Sequence, residues 1–257
     1  PSITVALNQI LNGIDFKQND IVYVSPYEHN AVARTLKKIM DTDKIIVKLM
    51  PTDGQSQEID INLLRDMIMQ DKPKCICCTH VSNVTGYILP IKEIFTIAKE
   101  VGALTILDSA QSLGLIDLTI ENIDFLAFAG HKTLYGPFGI GGFIDNSDFK
   151  LKQYIVGGTG SNSLVLDMPE ESPNRYEAAS SNIVAIAGLQ AALKELNVDD
   201  NYRKEKELTE YARERIGSVY RVKLYLPENK DNHIAIISFN LMIPDNSAAN
   251  VGAALDE

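Results

Sequence analysis

The sequence has no long apolar run, no clustered basic residues and few cysteines, and each absence excludes a class of protein. Its longer apolar stretches, such as Ile183 to Leu193, are interrupted well before the ~20 residues that a membrane-spanning helix needs. The first residues lack the basic and then apolar pattern of a signal peptide, so we expect a cytoplasmic protein. There are 34 acidic and 24 scattered basic residues, and the formal charge is −10. We therefore expect neither a membrane nor a nucleic acid as partner.

The three cysteines stand together at Cys75, Cys77 and Cys78. An odd number does not suit a secreted disulfide framework, and the cluster has no second group that would complete four zinc ligands. We interpret the cysteines as small apolar residues of a buried strand, and we predict no metal site.

Apolar runs of strand length alternate with segments of helical period, which is the pattern of parallel strands joined by crossover helices. The sequence therefore predicts a three-layer α/β fold with a mixed, mostly parallel sheet. The predicted strands are Ile21 to Ser25, Lys44 to Met50, Lys74 to Thr79, Leu104 to Asp108, Phe125 to Ala129 and Gly139 to Ile144. The predicted helices are His29 to Met40, Ile61 to Gln70, Ile91 to Val101 and Ile183 to Leu196. The run from Gly139 follows the preceding strand too closely for a crossover helix, so we expect it to pair antiparallel.

The pattern changes after about residue 150. Residues 157–173 predict a long loop, and loops of that length tend to be functional. A charged helix at Asn201 to Tyr220 and a strand at Ile234 to Asn240 follow. We expect a large domain at 1–195 and part of a smaller α+β domain at 196–257.

Asp108 ends one predicted strand, and Lys132 follows the next predicted strand. Open α/β sheets bind ligands at the carboxyl ends of their strands, so both side chains would face the same crevice. A lysine there can form an imine with an aldehyde cofactor, and an aspartate can keep the cofactor's ring nitrogen protonated. Each residue also has an ordinary interpretation, since such an aspartate often caps a helix and such a lysine often lies in a solvated loop.

Several motifs surround Lys132 in one order along the chain. They are Glu28-His29-Asn30, residues 80–86 (HVSNVTG), residues 124–141 (DFLAFAGHKTLYGPFGIG), Gly157 to Gly160, Arg175 to Ala178, and Asn182 followed by Gly188-Leu189. In order and spacing this set resembles the class V aminotransferase family of pyridoxal-phosphate (PLP) enzymes, in particular its cysteine desulfurase and selenocysteine lyase branch. A set of ordered motifs is far more specific than any one of them. The resemblance implies the fold type I architecture of PLP-dependent aminotransferases and PLP as the cofactor.

The resemblance implies roles at the cofactor ring. Lys132 would hold PLP as a Schiff base and move the α-proton of the substrate, and Asp108 would pair with the ring nitrogen. His29 would stack on the ring, although a helix-start histidine facing solvent is the alternative. Gln111 would bond the phenolic oxygen, with Asn83 close to the same edge.

The resemblance also implies a phosphate site and a second subunit. Thr4 would lie in a phosphate-binding turn at the start of a helix, where free amides favour anions, and His131 would lie beside the phosphate. Thr159 would reach the phosphate of the neighbouring subunit, which implies a homodimer. His80 is expected to be structural and His233 to lie at the surface.

Two departures from the family pattern concern function. Ala129 stands where relatives often have a hydroxyl that contacts phosphate, so one hydrogen bond of about 1–2 kcal/mol is missing. The motif with the mobile cysteine and the carboxylate-binding arginine is expected shortly after Glu257. We therefore expect a fragment of a longer protein that binds cofactor without turnover.

The resemblance implies that the whole protein removes sulfur or selenium from cysteine or selenocysteine and leaves alanine. One alternative keeps the cofactor but changes the reaction to transamination, racemisation or β-elimination. Another is a degenerate scaffold without catalysis, for which Ala129 and the missing motif argue. A cysteine encoded just beyond Glu257 would favour desulfuration, because the other reactions need no persulfide carrier.

Overall fold

A six-stranded sheet forms the centre of the protein, seen in a computed structural model that describes residues 1–54, 56–160, 164–243 and 247–255. Its strands are β1 (Ile21–Val24), β2 (Ile46–Leu49), β3 (Cys75–Thr79), β4 (Leu104–Asp108), β5 (Phe125–Ala129) and β6 (Gly141–Asp145). They lie in the order β2-β1-β3-β4-β5-β6. All neighbours pair parallel except β5 and β6, which pair antiparallel. The predicted mixed, mostly parallel sheet and its antiparallel strand are confirmed.

Helices cover both faces of this sheet. They are α1 (Ile3–Gly13), α2 (Asn30–Asp43), α3 (Ile61–Asp71) and α4 (Ile91–Glu100). Successive strand residues point to opposite faces, so Cys75 and Cys77 pack with α1 and α2, while Ile76 and Cys78 pack with α3 and α4. The three-layer fold is confirmed, and so is the interpretation of the cysteines. Burial raises the pKa of all three thiols, which keeps them uncharged.

Side-chain caps explain where three of these helices begin. Ser2 accepts a hydrogen bond from the Val5 amide at the start of α1, and Asp60 accepts one from the Leu63 amide at the start of α3. His29 caps α2, so this helix begins one residue later than predicted. Each cap satisfies one of the amides that a helix leaves without an internal partner.

The chain continues into a smaller α+β region. α5 (Ile183–Glu195) precedes it, and its own elements are α6 (Val198–Gly217), β7 (Val222–Tyr225), a 3₁₀ turn (Lys230–Asn232), β8 (Ser238–Leu241) and α7 (Ala248–Leu255). β7 and β8 pair antiparallel. β7 was not predicted, and β8 begins four residues after the predicted start because Ala235 has a φ of 64°, which interrupts an extended strand. No helix among the described residues is long and apolar enough to cross a membrane.

His233 is buried, so its expected surface position is wrong. The residue is 1% exposed, and its ring Nε2 lies 2.7 Å from the Ile236 carbonyl oxygen. Its backbone bridges to Tyr87, in the connection that follows β3. Gly86 lies beside this bridge with a φ of 69°, and a Cβ there would lie 2.5 Å from the Ile234 carbonyl oxygen. The contact joins parts of the chain about 150 residues apart, which local periodicity does not indicate.

Gly86→Ala is expected to lower the free energy of unfolding by about 2–4 kcal/mol. The alanine would be strained at this positive φ, and its Cβ would clash with the backbone. Gly102→Ala is the matched control, since Gly102 has a φ of 73° but open space around an added Cβ. The control is expected to cost only about 1 kcal/mol. Urea unfolding measures both values, and equal losses would show that the close approach to Ile234 does not matter.

Candidate functional site

Asp108 is the last residue of β4 and lies almost completely out of solvent, at 3% exposed. Its Oδ1 accepts a hydrogen bond of 2.9 Å from the Ala110 amide. Burial raises the pKa of Asp108, while the Ala110 amide and the charges of Lys132 and His29 act in the opposite direction. The Asp108 carboxyl group is therefore within electrostatic reach of both residues, and the structure brings these three predicted residues to one edge of the sheet.

Lys132 lies in a tight turn directly after β5. The Gly130 amide donates to the Ile140 carbonyl oxygen at 3.0 Å, and the Gly136 amide donates to the Gly130 carbonyl oxygen at 2.7 Å. The Tyr135 amide donates to the Lys132 carbonyl oxygen at 2.9 Å. A Cβ at Gly136 would lie 2.8 Å from the Gly130 oxygen, so the close return of the chain requires glycine. The Lys132 side chain is half-buried on this fixed backbone.

Gln111 and Asn83 lie in the turns that follow β4 and β3. The turn with Gln111 is fixed on β5, because the amide and hydroxyl of Ser109 both donate to the Ala127 carbonyl oxygen, at 3.0 and 2.8 Å. The turn with Asn83 is held by Ser82. The Ser82 hydroxyl oxygen accepts hydrogen bonds from the amides of Val84 and Thr85, at 3.2 and 3.1 Å. Gln111 is half-buried and Asn83 exposed, and both side chains belong to the same edge of the sheet as Asp108.

His29 is exposed at the start of α2. Its Nδ1 accepts a hydrogen bond of 3.1 Å from the Ala31 amide, which fixes the ring orientation and leaves Nε2 at the outer edge. The capping role and a ring-stacking role are compatible, because capping uses only one nitrogen of the imidazole.

The start of α1 lies against the end of the β5–β6 pair. Gly141 is the register partner of Ala129, and a Cβ on Gly141 would lie 2.6 Å from the Ile3 nitrogen. The amides of Ile3 and Thr4 precede the first backbone hydrogen bond of α1, from the Ala6 amide to the Ser2 carbonyl oxygen. Thr4 is exposed there. Free amides at a helix start favour an anion, so this corner, next to the Lys132 turn, suits a phosphate.

His131 directly precedes Lys132 in the turn that follows β5. Its ring stacks on Phe138, with 4.6 Å between ring centroids. Its Nδ1 is buried without a hydrogen-bond partner in the described part of the chain. A buried ring nitrogen normally has a partner, so the position suits a ligand that supplies one.

Three buried side-chain atoms without a partner come from segments that begin at this edge of the sheet. They are Glu28 Oε2, His80 Nδ1 and His131 Nδ1, and Arg213 contributes the fourth such atom among the described residues. Glu28 lies in the connection after β1, His80 directly after β3, and His131 after β5. Because buried polar atoms are normally hydrogen-bonded, their concentration here fits a polar ligand such as a phosphorylated pyridine.

His80 is a backbone neighbour of Asp108. Its amide donates to the Asp108 carbonyl oxygen at 3.0 Å. Burial lowers the pKa of His80 to about 4, so its imidazole is neutral near pH 7. This environment agrees with the structural role expected for His80.

The carboxyl group of Glu28 is a feature of the site that the sequence did not indicate. Its Oε1 accepts hydrogen bonds from the Ser25 hydroxyl at 2.5 Å and from the Thr79 amide at 2.7 Å. Burial raises the pKa of Glu28 to about 8, and the charge of Asp108 adds to this effect against the two hydrogen bonds. Glu28 stood in a recognised motif, but no local pattern predicted that its carboxyl group is buried.

Thr159 is half-buried in the segment at 157–160. The carbonyl oxygen of its neighbour Gly158 accepts a hydrogen bond of 2.8 Å from the Ala179 amide. Arg175 donates to the Leu151 carbonyl oxygen and to the Glu170 carboxylate, on the two sides of this segment. These contacts fix the segment at 157–160, and residues 161–163 of the predicted loop lie outside the described part of the chain. They do not connect Thr159 with the strand ends around Asp108.

No cluster of three or more His, Cys, Asp or Glu side chains that could hold a metal ion occurs within the ranges that the structure describes.

The fold and the site define an α/β protein with an acid and a lysine at the carboxyl ends of a mostly parallel sheet. The chain belongs to the aminotransferase class V family, whose model matches residues 2–257. The resemblance based on the motifs around Lys132 is thereby confirmed.

Individual relatives support the same branch. A cysteine desulfurase of Pectobacterium carotovorum subsp. carotovorum (strain PC1) is 31% identical over 268 residues, which cover 98% of this chain and 63% of the relative. A cysteine desulfurase of Escherichia coli O9:H4 (strain HS) is 31% identical over 269 residues, with coverages of 98% and 64%. The apo structure of cysteine desulfurase from Thermococcus onnurineus NA1 has a TM-score of 0.87 and 27% identity, with coverages of 99% and 65%. The chain thus spans just under two thirds of these relatives.

Glu28→Gln is expected to become progressively more stable than wild type as the pH rises from 6 to 8. A carboxyl whose pKa is about 8 when folded and 4.5 as a model value takes up a proton on folding. The stability that wild type gains from this proton uptake is complete below pH 4.5 and is lost as the pH rises toward 8. Glutamine does not titrate, so the stability of the variant lacks this pH dependence. The stability difference is expected to grow by about 1 kcal/mol per pH unit.

Urea unfolding at several pH values measures this difference. Glu121→Gln, which removes an exposed carboxyl, is the control and is expected to run parallel to wild type. A Glu28→Gln curve that also runs parallel would show that the native protein does not hold Glu28 protonated.

Proposed function

We propose that this chain carries the cofactor half of a PLP-dependent enzyme that removes sulfur or selenium from cysteine or selenocysteine and leaves alanine. The observation that carries the proposal is the buried Asp108 carboxyl group within electrostatic reach of Lys132. Relatives named cysteine desulfurase, about 30% identical over nearly the whole chain, support this reaction. We further propose that residues 1–195 form the cofactor domain and 196–257 part of a smaller one, because this boundary falls between α5 and α6, and the separate two-stranded sheet lies wholly after it.

The residues at the strand ends suit the ring of this cofactor. PLP supplies an aldehyde for a lysine amine and a pyridine ring that withdraws electrons from the substrate. Asp108 would accept a hydrogen bond from the protonated ring nitrogen, and Lys132 would bind the aldehyde and later hold the α-proton of the amino acid. Gln111 and Asn83 would face the phenolic edge, and the exposed ring of His29 would cover one face of the pyridine.

The start of α1 suits the phosphate. The amides of Ile3 and Thr4, the Thr4 hydroxyl and the His131 ring would supply donors. Ala129 supplies no hydroxyl, so we expect weaker retention of the cofactor than with serine or threonine at this position. Because several of these donors are backbone amides, phosphate binding would not depend on any one side chain.

Lys132→Ala is expected to abolish covalent attachment of PLP, because only an amine at this position can form a bond that borohydride reduces. Protein incubated with PLP and treated with borohydride is digested, and the modified lysine is identified by mass spectrometry. Lys150→Ala removes an exposed lysine and serves as the control, which is expected to keep the label at Lys132. Labelling spread over surface lysines, equal in both variants, would contradict the proposed cofactor.

The residues encoded beyond Glu257 separate desulfuration from other reactions of the family. A cysteine there would supply the persulfide carrier that sulfur removal needs, whereas transamination, racemisation or β-elimination needs none. A failure of Lys132 to trap PLP would instead favour a scaffold without catalysis.

We also propose that the protein is a homodimer in which Thr159 reaches the phosphate of the neighbouring subunit. Large apolar side chains lie fully exposed close to Thr159, with Leu164 and Leu166 at 100% and 101% exposed. Val156, Phe138 and Val184 are exposed as well. Large apolar side chains exposed in such number are typical of a protein interface, and a second copy of the chain would cover them.

Leu166→Asp is expected to weaken this dimer at least tenfold and to lower PLP affinity, because it buries a charge in the interface and withdraws Thr159 from the neighbouring site. The full-length protein is measured by sedimentation and by cofactor titration. Leu63→Asp places the same charge at a half-exposed position on α3 and is expected to change neither value. A monomeric wild type that binds PLP tightly would contradict the dimer but not the cofactor.

A further inference from the structure

The carboxyl group of Glu28 connects the ends of two neighbouring strands. Its Oε1 accepts from the Ser25 hydroxyl at 2.5 Å and from the Thr79 amide at 2.7 Å. Ser25 directly follows β1 and Thr79 ends β3, and these strands are adjacent in the sheet. One oxygen atom therefore fixes both strand ends at the edge where the cofactor site lies.

Thr79 extends this connection to Asp108. The two residues are register partners between β3 and β4. The next amide, of His80, donates to the Asp108 carbonyl oxygen at 3.0 Å. A shift of Thr79 would therefore move the backbone that carries the Asp108 carboxyl group.

Glu28 directly precedes His29 in the chain. The His29 ring is held by the Ala31 amide at the first turn of α2. Glu28 is thus the chain neighbour of His29, which is proposed to cover the cofactor ring. Through Thr79 it is also linked to Asp108, which is proposed to bind the ring nitrogen.

The second oxygen of Glu28 indicates an uncharged group. Oε2 is buried without a hydrogen-bond partner in the described part of the chain. Burying a charged, unpaired oxygen is far more costly than burying a neutral acid. The titratable groups that act on this carboxyl, or are acted on by it, are Asp108, Cys77 and Cys78, and none of them is basic. An uncharged Glu28 leaves the negative charge of this pair of carboxyls on Asp108.

We propose that Glu28 is a positioning residue of the cofactor site, whose uncharged carboxyl group clamps the ends of β1 and β3 and so orients Asp108 and His29 toward the cofactor ring. The inference rests on the proposed function, since it presumes PLP at this edge. In this proposal Glu28 acts on the site through Thr79 and His29.

The test compares Glu28→Ala with Glu28→Gln in the full-length, cofactor-loaded protein. Glutamine keeps the accepting oxygen and the neutral charge, and alanine removes both. The readouts are the PLP dissociation constant and the pH midpoint of the visible absorbance of cofactor bound to Lys132. Glu28→Ala is expected to raise the dissociation constant at least tenfold and to shift the midpoint by at least half a pH unit. Glu28→Gln is expected to stay within twofold of wild type, with an unchanged midpoint.

Asp124→Asn is the matched control. The Asp124 carboxylate accepts from the Thr105 amide at 2.7 Å and from Lys99 at 2.5 Å, so it also joins two strands. It precedes β5 and bonds near the start of β4, which is the opposite edge of the sheet. Its loss is expected to lower stability without changing the cofactor's affinity or its absorbance midpoint.

Wild-type affinity and midpoint in Glu28→Ala would overturn the proposal, and so would a Glu28→Gln variant as impaired as Glu28→Ala. If Glu28→Ala does not fold, Ser25→Ala removes one bond to the same oxygen. That variant is expected to weaken PLP binding about threefold, and unchanged binding would overturn the proposal. A failure of the proposed function looks different, because wild type itself would then trap no PLP on Lys132.

Discussion

The burial of one carboxyl group, that of Asp108, is the constraint on which the site depends. Removing a carboxyl from water is unfavourable unless hydrogen bonds or positive charges compensate. Here the Ala110 amide compensates in part, and Lys132 and His29 act from the same edge. A protonated ring nitrogen would complete the compensation, because it brings a positive charge and a donor to the carboxylate. The arrangement therefore favours a cationic ligand ring over an uncharged one.

The sheet topology brings the parts of this site together. Parallel β3, β4 and β5 end at one edge, so the turns with Asn83, Asp108 and Lys132 lie side by side. Antiparallel β6 begins opposite Ala129, where Gly141 lets α1 begin in direct contact. A ring site and an anion site are thus built from segments more than 100 residues apart. A sheet without the antiparallel strand would not place the amides of α1 next to the lysine turn.

Sequence reasoning was strongest where a pattern is local. The alternation of strands and helices, the antiparallel run after Gly139 and the positions of Asp108 and Lys132 after strands all follow from short windows of sequence. It was weakest where burial depends on distant segments. His233 follows a polar turn, yet Tyr87 and Ile236 enclose it. Likewise Glu28 stands in a polar stretch, and its carboxyl group accepts a hydrogen bond from the Thr79 amide of another strand, which no local pattern indicates.

Because Ala129 has no hydroxyl, the hydrogen-bond donors of the proposed phosphate site must come from other groups. The residue is buried and is the register partner of Gly141. The remaining donors at this corner are backbone amides of α1 and the ring of His131, whose Nδ1 has no partner in the described residues. Backbone donors persist through side-chain changes, and a ring stacked on Phe138 is already ordered before a ligand arrives. Loss of the hydroxyl is therefore expected to weaken the phosphate site without removing it, and the residues proposed to hold the cofactor ring then contribute a larger share of cofactor affinity.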